Sequence, residues 1–175
     1  MDAIKAIECR SSTRAYMPKA LSDEQVRALV EAGLRAPTAN NRREIRFSVL
    51  SADNEILSQI EAEKNRLRNI SAPERNFYYD APTVIMLAAE SGLRWSSVDA
   101  GIAVENIALA AEAMGLGSVI IGCIYDAMRG DKCEHFHREL KFPDGYLFEV
   151  AIAVGYKAAE KPPHTYRAEK QVVYI

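Results

Sequence analysis

The chain has 175 residues, 49% of them hydrophobic and 26% charged, with a formal net charge of -2. That suffices for a single domain over 1–175 with a buried core, and it leaves no global attraction to nucleic acid or acidic membranes. Three cysteines, Cys9, Cys123 and Cys133, are widely spaced and odd in number, poor material for a disulfide framework. A reducing cytoplasm fits best.

Met1 to Arg10 carries acids and an arginine and no apolar h-region, so it does not read as a signal peptide. A short helix is expected there. The clearest local signal follows at Leu21-Ser22-Asp23-Glu24-Gln25-Val26. Ser22 can cap a helix while Gln25 reaches back to it, and Leu21 and Val26 occupy the hydrophobic-staple positions. Val26, Leu29, Val30, Gly33 and Leu34 then share one face, and the helix should end before Pro37.

Ile45 to Ser51 alternates like a strand, with Arg46 facing solvent or a ligand. Asp53 to Asn69 reads as a helix with Ile56, Leu57, Ile60 and Leu67 on its apolar side. After Pro73, the continuous apolar run Thr83 to Ala89 suits a strand covered on both faces. Ser96 to Met114 is a long helix rich in small residues, which permit close backbone approach, so it is expected at the centre; Gly115 ends it. The longest apolar stretch, about Val98 to Gly122, is interrupted by Asp99, Glu105, Asn106 and Glu112 and reads as buried rather than membrane-spanning. Ser118 to Ile124 and Tyr146 to Val154 read as strands, and Asp131 to Leu140 as a helix. A polar tail with Pro162-Pro163 closes on the apolar run Val172 to Ile175, which can leave its own body as an exchanged arm. Alternating helices and strands imply a helix-covered sheet with some parallel pairing.

Arg10, Ser11, Ser12, Thr13 and Arg14 put two cations and three hydroxyls into five residues, a set suited to an anion. The bland alternative is a solvated turn. Arg167 is a second candidate cation. Ala36-Pro37-Thr38-Ala39-Asn40-Asn41-Arg42 is rich in turn formers behind a helix end. Gly115-Leu116-Gly117 leaves a helix and enters a strand, the reverse of a dinucleotide fingerprint, so it reads as a helix stop. Cys133 and His137 share a helix face while His135 points elsewhere, and only His164 remains to complete a metal set. There is no Gly-x-Ser-x-Gly elbow. An anion cradle without a protein-borne nucleophile or metal cage favours chemistry carried by a bound organic cofactor.

These motifs together resemble the nitroreductase family. They are Arg10, Ser12 and Arg14 followed by Tyr16; Ala36, Pro37, Thr38 and Asn41 after a capped helix; Asp99, Ala100, Ala103 and Asn106 on a helix ending Gly115 to Gly117; and Ile121-Gly122-Cys123. The resemblance covers nearly the whole chain. It implies an α+β fold with a central mixed sheet flanked by helices, and a homodimer with an exchanged C-terminal arm and FMN at the interface. It further implies that Arg10 and Arg167 hold the phosphate, with Ser11 and Ser12 near the phosphate or ring. Arg14 would lie at the N1–C2=O edge, and the backbone of Gly122 and Cys123 would approach N5. Pro37, Thr38 and Asn41 would come from the partner subunit.

The activity implied is ping-pong hydride transfer from NADH or NADPH to a nitroaromatic, quinone or similar small acceptor, with no dedicated catalytic side chain and no metal. Two departures stand out. Arg43-Glu44-Ile45 occupies the place of a Gln-Pro-Trp common in the family, and the chain lacks a helical insertion of larger members, which implies a more open site. The first departure keeps a rival in view, an FMN-binding storage or sensor module; a dehalogenase-like flavin enzyme is another.

Overall fold

The computed structural model describes residues 1–159, 161–162 and 165–175. Pro163 of the tail's proline pair and His164 lie outside them. In chain order the elements are α1 (Ala3–Cys9), α2 (Asp23–Leu34), β1 (Arg46–Ser51), α3 (Glu55–Leu67), β2 (Thr83–Glu90), α4 (Ser96–Ala113), β3 (Gly117–Ile121), α5 (Tyr125–Arg129), α6 (Cys133–Glu139), β4 (Tyr146–Gly155) and α7 (Ala168–Gln171).

Local chemistry sets the helix ends. Gln25 N–H donates to Ser22 Oγ at 3.2 Å and Ser22 N–H to Gln25 Oε1 at 2.9 Å, the reciprocal box read from the sequence. Leu21 packs on the core beside it. At the end of α4, Leu116 N–H donates to Ala111 O and Gly115 N–H to Glu112 O, with Gly115 at φ 74°. That pairing closes a helix through a left-handed residue, which glycine adopts without a Cβ penalty. Leu34 and Leu67, read as core-facing, are exposed in the last turns of their helices.

The sheet order is β1-β2-β4-β3, and every neighbouring pair is antiparallel. The sequence pointed to a mixed sheet with parallel pairing. The crossover does exist: β2 and β3 both run opposite to β4, so α4 joins two strands of the same direction. β4 inserts between them and takes the hydrogen bonds they would have shared. A parallel contact remains at the isolated bridge between Ser12 and Ser118. β2 is central, and Thr83 through Ala89 are buried, as a continuous apolar run requires.

One face of the sheet carries α3, α5 and α6 over Leu57, Ile60, Met86, Phe136 and Phe148; the other carries α2 and α4 over Leu29, Ile85, Leu87 and Ile107. The small residues Ala100, Ala103, Ala108 and Ala111 are buried where α4 meets the sheet. β3 is shorter than the expected Ser118 to Ile124 because Gly122 to Ile124 turn into α5, with Tyr125 N–H donating to Gly122 O. At five residues α5 is too short to show a period in the sequence. Val172 to Ile175 are exposed. No helix among the described residues is long and apolar enough to cross a membrane.

The segment from Ser12 to Met17 is laid across the ends of β3 and β4. Tyr16 pairs with Lys157, Met17 N–H donates to Tyr156 O, and Tyr16 Oη donates to Thr13 O. Glycines make this possible. A Cβ on Gly117 would stand 2.5 Å from Thr13 Oγ1, and one on Gly155 would stand 2.5 Å from Pro82 Cδ and 2.9 Å from Tyr16 Cδ1. Gly155→Ala is therefore expected to destabilise the fold by about 1–3 kcal/mol through overpacking. Urea denaturation checks this: a lower midpoint with unchanged slope supports it, and an unmoved midpoint refutes it.

Candidate functional site

The Arg10–Arg14 segment is held by its backbone and alternates like a strand. Ser11 and Thr13 are buried, whereas Arg10 and Ser12 are half-buried and Arg14 is exposed. Ser11 and Ser12 thus face opposite ways. Arg10 follows α1, and its Nε lies 3.3 Å from Glu105 Oε1 on α4. Arg14 reaches over the Tyr79 ring at 5.8 Å, and Arg75 donates to its carbonyl at 2.9 Å. Lys161 donates to Ser12 O at 3.3 Å. A lone lysine in a polar tail carries no sequence signal, so Lys161, Arg75 and Tyr79 were not read as site residues.

Gly122 is exposed beyond the end of β3, and a Cβ built there would meet nothing within 4 Å. Cys123 packs beside the α3-side core, where burial raises its thiol pKa against the opposing pull of Lys64 and Arg68. It is held as a thiol. Burial likewise pushes the Tyr16 phenol up. Arg167 is exposed at the start of α7, its N–H donating to Gln171 Oε1, and no hydrogen bond or ion pair among the described residues joins it to Arg10.

Pro37, Thr38 and Asn41 form a separate group. Their turn is tight: Asn41 N–H donates to Thr38 O, Arg43 N–H to Thr38 Oγ1 and Arg43 Nε to Asn41 Oδ1. Asn40, Asn41 and Arg43 all have φ between 54° and 56°. Asparagine tolerates this left-handed region; arginine does so at a cost of about 1 kcal/mol or more. Asp99 of α4 fixes the turn by accepting Ala39 N–H at 2.9 Å. Glu105, which meets Arg10, lies six residues further along, about 9 Å of helix rise. One helix therefore anchors both groups, and no hydrogen bond or ion pair among the described residues joins them directly.

Glu44, which stands where many relatives of the resembled family have a proline, is only 4% exposed and its Oε2 has no partner among the described residues. Burial raises its carboxyl pKa, the neighbouring Asp99 adds to the shift, and Arg42 opposes it. Cys133 and His137 line one cavity as the helical spacing implied, while His135 meets Gln59 at 2.8 Å. Among the described residues, no group of three or more His, Cys, Asp or Glu is arranged to hold a metal ion.

An α+β sheet with an arginine–serine strip at one edge and a strained turn on its longest helix defines a recognisable class. The model of the nitroreductase family matches residues 7–156. The chain belongs to the nitroreductase family. A protein of Methanothermobacter thermautotrophicus, provisionally named an NADH dehydrogenase/NAD(P)H nitroreductase, is 30% identical over 167 residues, 90% of this chain and 78% of its own. Among solved structures, a nitroreductase of Desulfitobacterium hafniense with bound FMN is 29% identical with a TM-score of 0.86 over 100% of this chain and 99% of its own. A Bacteroides fragilis nitroreductase with bound FMN superposes with a TM-score of 0.89 at 24% identity, end to end in both chains, which shows the fold. Both match nearly end to end, so the compact form without a long insertion is shared.

Glu44 gives a pH test. Its folded pKa is raised, so the folded state binds more protons than the unfolded one above the ordinary Glu value of 4.5. Stability contributed by this group then falls as pH rises through that window. Glu44→Gln, which keeps the shape and can donate to Asp99, is expected to raise the melting temperature at pH 8 and to have a smaller effect at pH 4. Equal shifts at both pH values would refute it.

Proposed function

We propose that this chain is an FMN-dependent NAD(P)H oxidoreductase that works as a homodimer and passes hydride by a ping-pong mechanism to a small acceptor such as a nitroaromatic or quinone. The observation that carries this is the cationic strip of Arg10, Arg14 and Lys161 around half-buried Ser12, which pairs with Ser118 on β3, the strand that leads to the open Gly122 just past its end. The donor set fits the cofactor. Guanidinium and ammonium groups suit a phosphate, and open space over Gly122 admits a flat ring against backbone.

In this reading Arg10, Ser12, Lys161 and Arg167 hold the phosphate, with Ser11 supporting the strip from its buried side. Arg14 faces the electron-rich edge of the ring, and the Gly122–Cys123 backbone lies against it. When bound, FMN supplies reversible acceptance of two electrons and a proton. The chain's part is to fix the cations, to exclude water from one ring face and to leave the other face open for donor and acceptor in turn. No acid–base side chain is assigned.

The dimer follows from what one chain leaves unfinished. Pro37, Thr38 and Asn41 sit apart from the cationic strip, so a second copy supplies them. Ile4, Ile7, Val98 and Ile102 present exposed apolar side chains on α1 and α4, which pack against each other, and these offer the twofold surface. The exposed run Val172 to Ile175 is the exchanged arm, and the free edge of β1 is open to it.

Protein purified from cells should be yellow and dimeric, with flavin absorbance that bleaches on stopped-flow mixing with NADH or NADPH. Bound flavin with no bleaching by either donor would favour the storage or sensor module instead. Arg10→Ala should weaken FMN by about ten- to a hundredfold, since a hydrogen bond to a charged group contributes roughly 1.5–3 kcal/mol. Unchanged affinity with an unchanged circular dichroism spectrum refutes the phosphate role.

A further inference from the structure

A second cavity, of about 240 Å3, opens beside the strained turn, between Asn40 and Arg42 on one side and Leu93 to Asp99 on the other. It is smaller than the roughly 300–1,000 Å3 of a complete small-molecule site, so it suits a ligand fragment. Three features of its lining point to one ligand chemistry. Glu44 lines the cavity, 4% exposed, with Oε2 unpartnered, a buried acceptor waiting for an N–H or O–H donor. Trp95, the chain's single tryptophan, is 48% exposed at the wall, presenting a ring to stack on. Arg42 and Arg94 line the same cavity, are exposed, and form no ion pair within 4 Å of a described carboxylate.

The guanidinium of Arg94 lies 4.9 Å from the Trp95 ring centroid, so a phosphate meeting Arg94 stands next to a planar base meeting Trp95. The cavity also adjoins the first turn of α4, whose starting residue provides no side-chain cap, an end of the helix dipole that favours an anion. A bare cation would use Glu44 and Asp99 but face two guanidinium groups. An uncharged aromatic acceptor would leave both arginines idle. A ligand with a planar ring, a hydroxyl or ring amine and a phosphate uses all three features at once.

We propose that this cavity seats the adenosine 5′-phosphate half of the nicotinamide donor, with the base on Trp95, a ribose hydroxyl or ring amine donating to Glu44, and the phosphate on Arg94 and Arg42. This rests on the oxidoreductase reading above and deepens it. The cavity shares Ala39 and Asn40 with the turn that carries Thr38 and Asn41, so a donor held here by its adenylyl end has its nicotinamide end beside the proposed flavin site. Arg43-Glu44-Ile45 then acquires a purpose: the residue in place of the family's proline is the acceptor at the floor of this cavity.

Because Trp95 is the only tryptophan, its emission reports the site directly. AMP titrated into FMN-saturated protein should quench that emission saturably, with a dissociation constant on the order of 1 mM or tighter, and calorimetry should give the same midpoint. Arg94→Gln should weaken AMP about tenfold and leave adenosine, which lacks the phosphate, unaffected. Ribose 5-phosphate should bind without quenching. Glu44→Leu should weaken AMP and adenosine alike.

Absence of saturable quenching by AMP overturns the proposal. So does equal weakening of AMP and adenosine by Arg94→Gln, or competition between AMP and FMN, which would assign the cavity to the flavin site. The outcome separates from that of the oxidoreductase reading. A protein that takes up no FMN sinks that reading, yet Arg94-dependent AMP binding in the same sample still supports a nucleotide cavity here.

Discussion

The close seat of α4 on the sheet is the constraint from which the rest follows. Alanines at 100, 103, 108 and 111 are buried at the contact, so the helix backbone approaches β2, β3 and β4 without bulky side chains between them. Larger residues at those positions would push the helix outward and cost the packing of Ile85, Leu87 and Ile152 beneath it. The seat fixes more than the core. Asp99 and Glu105 ride on the same helix, one tied to the 38–43 turn and the other to Arg10. Both halves of the candidate site are positioned by a single rigid element, which is how a site built largely from loops keeps its geometry.

That arrangement also bears on the proposed dimer. The turn and the cationic strip are both anchored to α4, yet no hydrogen bond or ion pair among the described residues brings them together. Each is fully braced inside its own subunit: the turn by Thr38, Asn41 and Asp99, the strip by β3 and the 156–158 backbone. In the proposed dimer such bracing would let each copy offer one half to its partner without rearrangement. The exposed apolar residues on α1 and α4 lie in the right elements to make that contact.

Much of the fold was legible because its signals are local. The Ser22–Gln25 box, the glycine closing α4 and the unbroken apolar run of β2 each depend on neighbours in the sequence. The antiparallel pairing was not legible. It depends on β4, the last strand to be made, slipping between β2 and β3, and nothing in a strand's own residues encodes which neighbours it separates. At the candidate site, the arginines and serines were visible as a cluster, but alternation decides which of Ser11 and Ser12 is buried, and that needs the partner strand. Lys161 lay beyond reach of sequence reasoning because only tertiary folding carries it to Ser12.

Glu44 is the sharpest conflict between local chemistry and fold. Arg43 and Glu44 are both charged residues, yet Glu44 is buried, and a buried carboxyl with a free oxygen beside another carboxyl is expensive. The cost is not confined to one side chain, since Arg43 next to it holds φ at 56°. Two unfavourable features in adjacent residues, at a turn already stiffened by Asp99, are costly to keep, and an apolar residue of similar volume in place of Glu44 would remove the unpaired oxygen. Strain and unpaired polarity concentrate where a protein binds or reacts. By that argument the substituted segment is less a worn copy of the family's Gln-Pro-Trp than a surface with a different task, and the cavity it floors is where the proposal places that task.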